Sequence, residues 1–93
     1  MPGWTVEVSP NKPAVTRAQL TTTADLTRLI FDLTEWVTPK VTTVSKPDWV
    51  IVDLPEVEFR IDPASGQKGK GLVKAYRFGL FRSKQSRIVI DKN

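Results

Sequence analysis

The sequence predicts an all-β fold, a small sandwich of two antiparallel sheets with seven or eight short strands. Three observations support this. Threonine, valine and isoleucine, which favour strands, are abundant. Apolar residues alternate with polar ones or form short runs between turn signals, and helical periodicity is hard to find. A chain of 93 residues, 40% of them hydrophobic, is enough for one small core. A partly open barrel is the alternative architecture.

Three apolar runs share one pattern, in which three apolar residues precede an aspartate: residues 28–33, 49–54 and 87–91. An unbroken apolar triplet predicts burial on both faces of a strand. Residues four apart in a strand lie about 13 Å apart, so Arg28 cannot pair with Asp32. We therefore expect cross-strand pairs that fix the register, with a ligand-binding role for the strand ends as the alternative. The residues assigned to these strand-end pairs are Arg28, Asp32, Asp53 and Asp91.

Turn residues delimit the remaining strands, predicted at residues 14–21, 38–44, 57–61 and 72–78. Pro39 cannot donate a ladder hydrogen bond, which predicts that its strand lies at a sheet edge. Residues 62–71 form the longest predicted loop, and residues 79–85 are expected to lead into the last run. The whole chain, 1–93, reads as one domain in which residues 1–13 are an N-terminal arm or leading strand.

The chain contains no histidine and no cysteine. Histidine-based triads, cysteine nucleophiles and the usual ligands of zinc, copper and iron-sulfur sites are therefore excluded within it. Carboxylate, lysine or magnesium chemistry stays open. We predict a binding module with no catalytic residue, no metal and no cofactor.

The net charge of +4 conceals an asymmetry. Residues 1–66 carry six basic and nine acidic residues, a net of −3, whereas residues 67–93 carry eight basic residues and one aspartate, a net of +7. A basic patch of this kind attracts nucleic acid, acidic lipid or an anionic cell-wall polymer. A merely solvated face is the alternative. Because no apolar run approaches about 18 residues, we expect no membrane insertion.

The segment 74–82 interleaves aromatic and basic residues, as a surface does that stacks on rings and holds anions. Strand alternation predicts that Lys74, Tyr76 and Phe78 share one face and Arg77 the other. The alternative is that the aromatic residues belong to the core and the cations point outward. Trp4, Trp36 and Trp49 are open to the same two interpretations. The predicted ligand-binding residues are Lys74, Tyr76, Arg77, Phe78, Arg82 and Arg87.

The ordered set of segments 27–33, 48–55, 71–79 and 86–91 resembles the AMIN domain, particularly that of alphaproteobacterial periplasmic N-acetylmuramoyl-L-alanine amidases. The resemblance implies a two-sheet sandwich that binds peptidoglycan and localises the amidase to the division site. It also implies a periplasmic location, and catalysis by a separate zinc domain. The family usually continues past the third run, so we expect this domain to be truncated at its C-terminus, with an exposed edge strand that allows a homodimer.

Two other functions are compatible with the sequence. One is a protein-interaction module of a pilus or secretin assembly that uses the edge strand at 38–44, with division or envelope proteins as partners. The other is a small barrel that binds single-stranded nucleic acid, which the basic last third permits. The spacing of the aromatic residues does not match a known RNA motif, so nucleic acid is not favoured.

Overall fold

The structure, a computed structural model, describes Gly3 and residues 12–93. Of the predicted arm, all but Gly3, Lys12 and Pro13 lies outside the described residues. The described part forms seven strands and one 3₁₀ turn: β1 (Ala14–Thr22), β2 (Thr27–Leu33), β3 (Lys40–Val44), β4 (Trp49–Pro55), β5 (Glu58–Phe59), the 3₁₀ turn (Pro63–Gly66), β6 (Val73–Arg82) and β7 (Gln85–Lys92). The all-β sandwich is confirmed. Over these residues, no helix has the length and apolar character needed to cross a membrane.

The first sheet has three strands in the order β2-β1-β5. β1 and β2 form an antiparallel hairpin, closed where the Thr23 N–H donates to the Leu26 carbonyl at 2.8 Å. β5 pairs with β1 in parallel, in contrast to the other pairings of the described strands. Only two residues of the predicted 57–61 strand belong to β5, because the pairing with β1 extends no further.

The second sheet has four antiparallel strands in the order β3-β4-β7-β6. β3 is its outermost strand on one side and begins directly after Pro39, which agrees with the predicted edge position. β6 continues to Arg82, past the predicted end at Phe78, and the Ser83-Lys84 turn leads directly into β7. The expected connection after Phe78 is therefore largely strand, since residues 78–82 pair with β7.

The core lies between the two sheets. Val15 of β1 packs with Leu54, Val57 and Ile88, and all four are buried. Two aromatic pairs also join the sheets. Phe31 of β2 meets Tyr76 of β6 edge-on, with ring centroids 5.8 Å apart, and Phe59 lies 4.7 Å from Phe78. Such contacts add to the stabilisation that the burial of apolar surface provides.

The apolar triplets differ in their burial. In β2, Leu29 and Phe31 are half-buried while Ile30 is 42% exposed, so the prediction of two buried faces is wrong for this run. The reason is that β2 is an edge strand of a sheet that packs through one face. The triplets of β4 and β7 lie in the two central strands of the other sheet, where side chains on both faces are at least half-buried.

The predicted strand-end residues divide between the two sheets. Asp53 lies opposite Arg87 across β4 and β7, and the two side chains form an ion pair. Asp91 instead contacts Arg77 of β6. Among the described residues, Arg28 and Asp32 form no salt bridge, which differs from the expected pairing. Their run, β2, lies in the three-stranded sheet and pairs with β1, so it has no strand contact with the other two runs in β4 and β7.

Candidate ligand-binding face

The four-stranded sheet has two chemically different faces. Ile88 and Tyr76 point toward the core, and the residues that alternate with them point away from it. In register, Ile51 lies opposite Val89, which lies opposite Arg77, so these three form a row across the sheet on the side away from the core. We call this side the outer face. It includes Lys40, Trp49, Ile51, Asp53, Arg77, Gly79, Phe81, Arg87, Val89 and Asp91.

The six predicted ligand-binding residues do not share a face. Tyr76 is 6% exposed, and its hydroxyl lies 3.3 Å from Ser65 Oγ. Phe78 packs against the core cluster beside it. Tyr76 and Phe78 therefore belong to the core, as the alternative interpretation of the segment 74–82 predicted. Arg77 and Arg87 lie on the outer face, and Arg82 lies at the end of β6.

Lys74 breaks the alternation on which its predicted position depended. The register between β6 and β7 shifts between Val73 and Ala75, so Lys74 is the extra residue of a β-bulge. Val73 and Tyr76, three residues apart, are both buried, whereas Lys74 is exposed. Lys74 and Tyr76 therefore do not lie on one face as predicted, because the bulge resets the period of two.

Arg87 is held firmly by Asp53. Its Nε donates to one carboxylate oxygen at 2.7 Å, and its Nη2 donates to the other at 3.4 Å. Hydrogen bonding from Arg87, with smaller contributions from Gln85 and Lys40, holds the pKa of Asp53 below its ordinary value, although burial opposes this shift. The pair fixes the guanidinium of Arg87 in the middle of the outer face.

Arg77 is much less constrained. Its guanidinium carbon lies 5.4 Å from the centroid of the Trp49 ring. Its Nη1 lies 3.5 Å from an Asp91 carboxylate oxygen, and the side chain of Arg77 is 60% exposed. An ion pair of this length and exposure is weak. Arg77 can therefore bind a second anion without losing a strong contact.

Phe81 and Trp49 supply the aromatic part of the outer face. The guanidinium carbon of Arg87 lies 3.5 Å from the Phe81 centroid and that of Arg82 lies 4.9 Å away, yet Phe81 remains 47% exposed. Gly79 and Phe81 lie in the predicted surface segment 74–82 but are not among the six predicted ligand-binding residues, and the sequence leaves Trp49 open between a core and a surface position. The spacing of 77, 79 and 81 at alternate positions of one strand was a usable signal, but the contact of Phe81 with Arg87 depends on the pairing of β6 with β7.

A family model for the AMIN domain matches residues 17–93, which include six complete strands and most of β1. The chain belongs to the AMIN domain family. AMIN domains are non-catalytic modules for peptidoglycan binding or targeting, and they occur in secreted or periplasmic proteins. No curated protein and no solved structure is significantly similar to this AMIN domain.

A cavity of about 700 Å³ opens between the two sheets of the AMIN domain. Its walls include the core side chains Val15, Phe31 and Ile88, and Trp36 lies there with 93% of its surface exposed. The charged residues that line it are Asp32 and Glu35, both acidic. An acidic lining repels anionic ligands, so the outer face is the better candidate for them.

The carboxylates that the structure describes, in residues 12–93, do not form a metal site. Within the described residues, no group of three or more histidine, cysteine, aspartate or glutamate side chains is suitably placed to hold a metal ion. Glu56 pairs with Lys12, and Glu58 accepts from Arg60 at 3.2 Å. These glutamates act as partners of basic side chains at the surface.

Proposed function

We propose that this AMIN domain binds peptidoglycan and thereby targets a periplasmic N-acetylmuramoyl-L-alanine amidase, from an alphaproteobacterium, to the division site. The observation that carries the proposal is the outer face, where two arginine–aromatic contacts, Arg77 with Trp49 and Arg87 with Phe81, lie on the three neighbouring strands β4, β7 and β6. Membership of the AMIN family supports peptidoglycan as the ligand. The sequence resemblance supports an amidase as the enzyme that the domain targets.

The chemistry of the polymer matches that of the outer face. Glycan strands present apolar sugar faces that pack on aromatic rings, and stem peptides present carboxylates that arginine recognises by paired hydrogen bonds. Lys40, Arg77 and Arg87 outnumber the carboxylates of Asp53 and Asp91. The face therefore keeps a positive charge after its internal ion pairs have formed.

In this proposal the AMIN domain binds the polymer, and a separate domain of the amidase hydrolyses it. A zinc-dependent amidase needs zinc ligands, which proteins build mainly from histidine and cysteine. This AMIN domain has neither residue. Its proposed role is to raise the local concentration of the enzyme at its polymeric substrate, without contacting the reacting bond.

Sedimentation with purified peptidoglycan sacculi tests the proposal. We expect the wild-type domain to pellet with sacculi and the double variant Lys74→Gln/Arg77→Gln to stay largely in the supernatant. Glutamine is preferred to glutamate because a glutamate at position 77 would repel Asp91 and disturb the fold.

The matched control is Arg28→Gln/Lys68→Gln, which removes the same two charges from exposed positions outside the four-stranded sheet. It is expected to pellet like the wild type. Equal loss in both double variants would show a non-specific charge effect. A wild-type domain that does not pellet at all would refute peptidoglycan binding.

A second candidate function is a protein-interaction module of a pilus or secretin assembly. It is favoured by β3, the outermost strand on one side of its sheet, in which Lys40 to Thr43 are all exposed. A partner strand can add to such an edge through main-chain hydrogen bonds. Capture of a defined envelope protein that is abolished by Thr42→Pro, with no retention on sacculi, would support this function instead.

A further inference from the structure

A groove of about 220 Å³ lies on the outer face, above Gly79. Gly79 of β6 is opposite Arg87 of β7, and an added Cβ at position 79 would meet no heavy atom within 4 Å. The side chain of Arg87 turns toward Asp53 on its other side, so the space above Gly79 stays open. Val89 adds an apolar side chain to the lining.

The two ends of the groove differ in chemistry. At one end Phe81 lies against the guanidinium of Arg87, which Asp53 holds in place. At the other end is the exposed side chain of Arg77. Residues 77 and 81 are about 13 Å apart along the strand, at about 3.3 Å per residue. An aromatic wall and a loosely paired cation thus face each other across an apolar floor.

We infer that this groove is a subsite for a muropeptide unit, with a sugar ring over Gly79 against Phe81 and a stem-peptide carboxylate on Arg77. The inference rests on the proposed function and assigns its contact to one place on the outer face. An arginine has five N–H donors, so Arg77 can donate hydrogen bonds to a ligand carboxylate while it keeps its contact with Asp91. Arg87 acts as a positioning residue for Phe81, because its hydrogen bonds are directed to Asp53.

The choice of a sugar-bearing acidic unit follows from the lining. A purely anionic ligand would need no apolar floor, and a neutral glycan would leave the charge of Arg77 unused. The positively charged last third of the chain, with eight basic residues and one aspartate in 67–93, adds attraction for the acidic stem peptides.

Gly79→Val tests the subsite by filling the groove. A side chain fits here without a clash, and valine favours strands more than glycine does, so the fold should be retained. The matched control is Gly3→Val, because Gly3 also has no heavy atom within 4 Å of an added Cβ. Thermal unfolding of both variants checks the fold, and Gly79→Ala supplies a smaller block if the valine variant is unstable.

In sacculus sedimentation, we expect Gly79→Val to weaken binding by at least about tenfold and Gly3→Val to leave it unchanged. Normal sedimentation of folded Gly79→Val would overturn the subsite and leave the proposed function intact. Failure of the wild type to sediment would remove both.

Competition with soluble fragments tests the two halves of the ligand. Muropeptides released by a muramidase should displace the domain from sacculi, whereas stem peptides alone and peptide-free glycan should each compete at least about tenfold less well. Equal competition by peptide-free glycan would overturn the role assigned to Arg77. Equal competition by the stem peptide would overturn the role assigned to Phe81.

Discussion

The inner and outer faces of the four-stranded sheet are formed by the same strands, but the inner face packs in the core and the outer face is open to solvent. On the inner face Ile88 is 1% exposed and Tyr76 6% exposed, both packed toward the other sheet. On the outer face Phe81 is 47% exposed and the side chain of Arg77 60% exposed. Adjacent residues of one strand can therefore be changed to separate stability from binding.

Two glycines show the same contrast. A Cβ at Gly66, in the 3₁₀ turn, would lie 1.9 Å from the carbonyl oxygen of Tyr76, so close packing requires glycine there. A Cβ at Gly79 would enter open space. One glycine lets the chain approach β6 closely, and the other leaves room for a ligand on it.

The largest expected difference between the two faces is in the free energy of unfolding, when the neighbouring residues Ile88 and Val89 are each replaced by alanine. Ile88→Ala removes a buried side chain and should lower the free energy of unfolding by about 2–5 kcal/mol. Val89→Ala, on the half-buried outer face, should cost about 1 kcal/mol or less. Urea denaturation measures both values. Equal losses would mean that the outer face is also a packed interior surface.

A smaller effect is expected from Ser86, which is fully buried. Its Oγ accepts from the Val57 N–H at 3.0 Å, so Ser86→Ala would leave a buried donor unpaired and cost about 1–3 kcal/mol. Ser83→Ala, at an exposed position of the β6-β7 turn, is the control and should change the free energy of unfolding by less than about 0.5 kcal/mol. No difference between the two would show that Val57 finds another partner.

The smallest expected effect concerns Asp53 and pH. Because the pKa of Asp53 is lowered from its ordinary value of 3.8, its ion pair stabilises the fold above that pH and loses this contribution as the pH falls through the lowered value. Asp53→Asn should therefore reduce the melting temperature at pH 7 and lessen its decline toward pH 3.

Asp25→Asn, at an exposed position of the β1-β2 turn, is the control for Asp53. It should leave the difference between the melting temperatures at pH 7 and pH 3 unchanged. A pH profile of Asp53→Asn that parallels the wild type would show that the Arg87 pair adds nothing to stability.

Much of the fold could be predicted because its signals are local. Alternation and turn residues located the strands, and Pro39 indicated the edge position of β3. The residues of the candidate site were harder to predict from the sequence. The bulge at Lys74 shifts the faces of the residues from Ala75 to Leu80 relative to Val73, and a second register shift follows between Leu80 and Arg82. No glycine or proline lies beside Lys74 in β6 to indicate the first bulge.

By itself, the sequence determined the strand-rich architecture, the family resemblance, the lack of histidine and cysteine ligands in this chain and the concentration of positive charge after residue 66. These properties depend on residue types and near neighbours. Only the tertiary structure decided that Arg87 meets Asp53, 34 residues away, and that Phe81 lies on the same guanidinium. Strand order and register arise from packing between distant segments, so the face on which a side chain emerges is settled only when the sheets assemble.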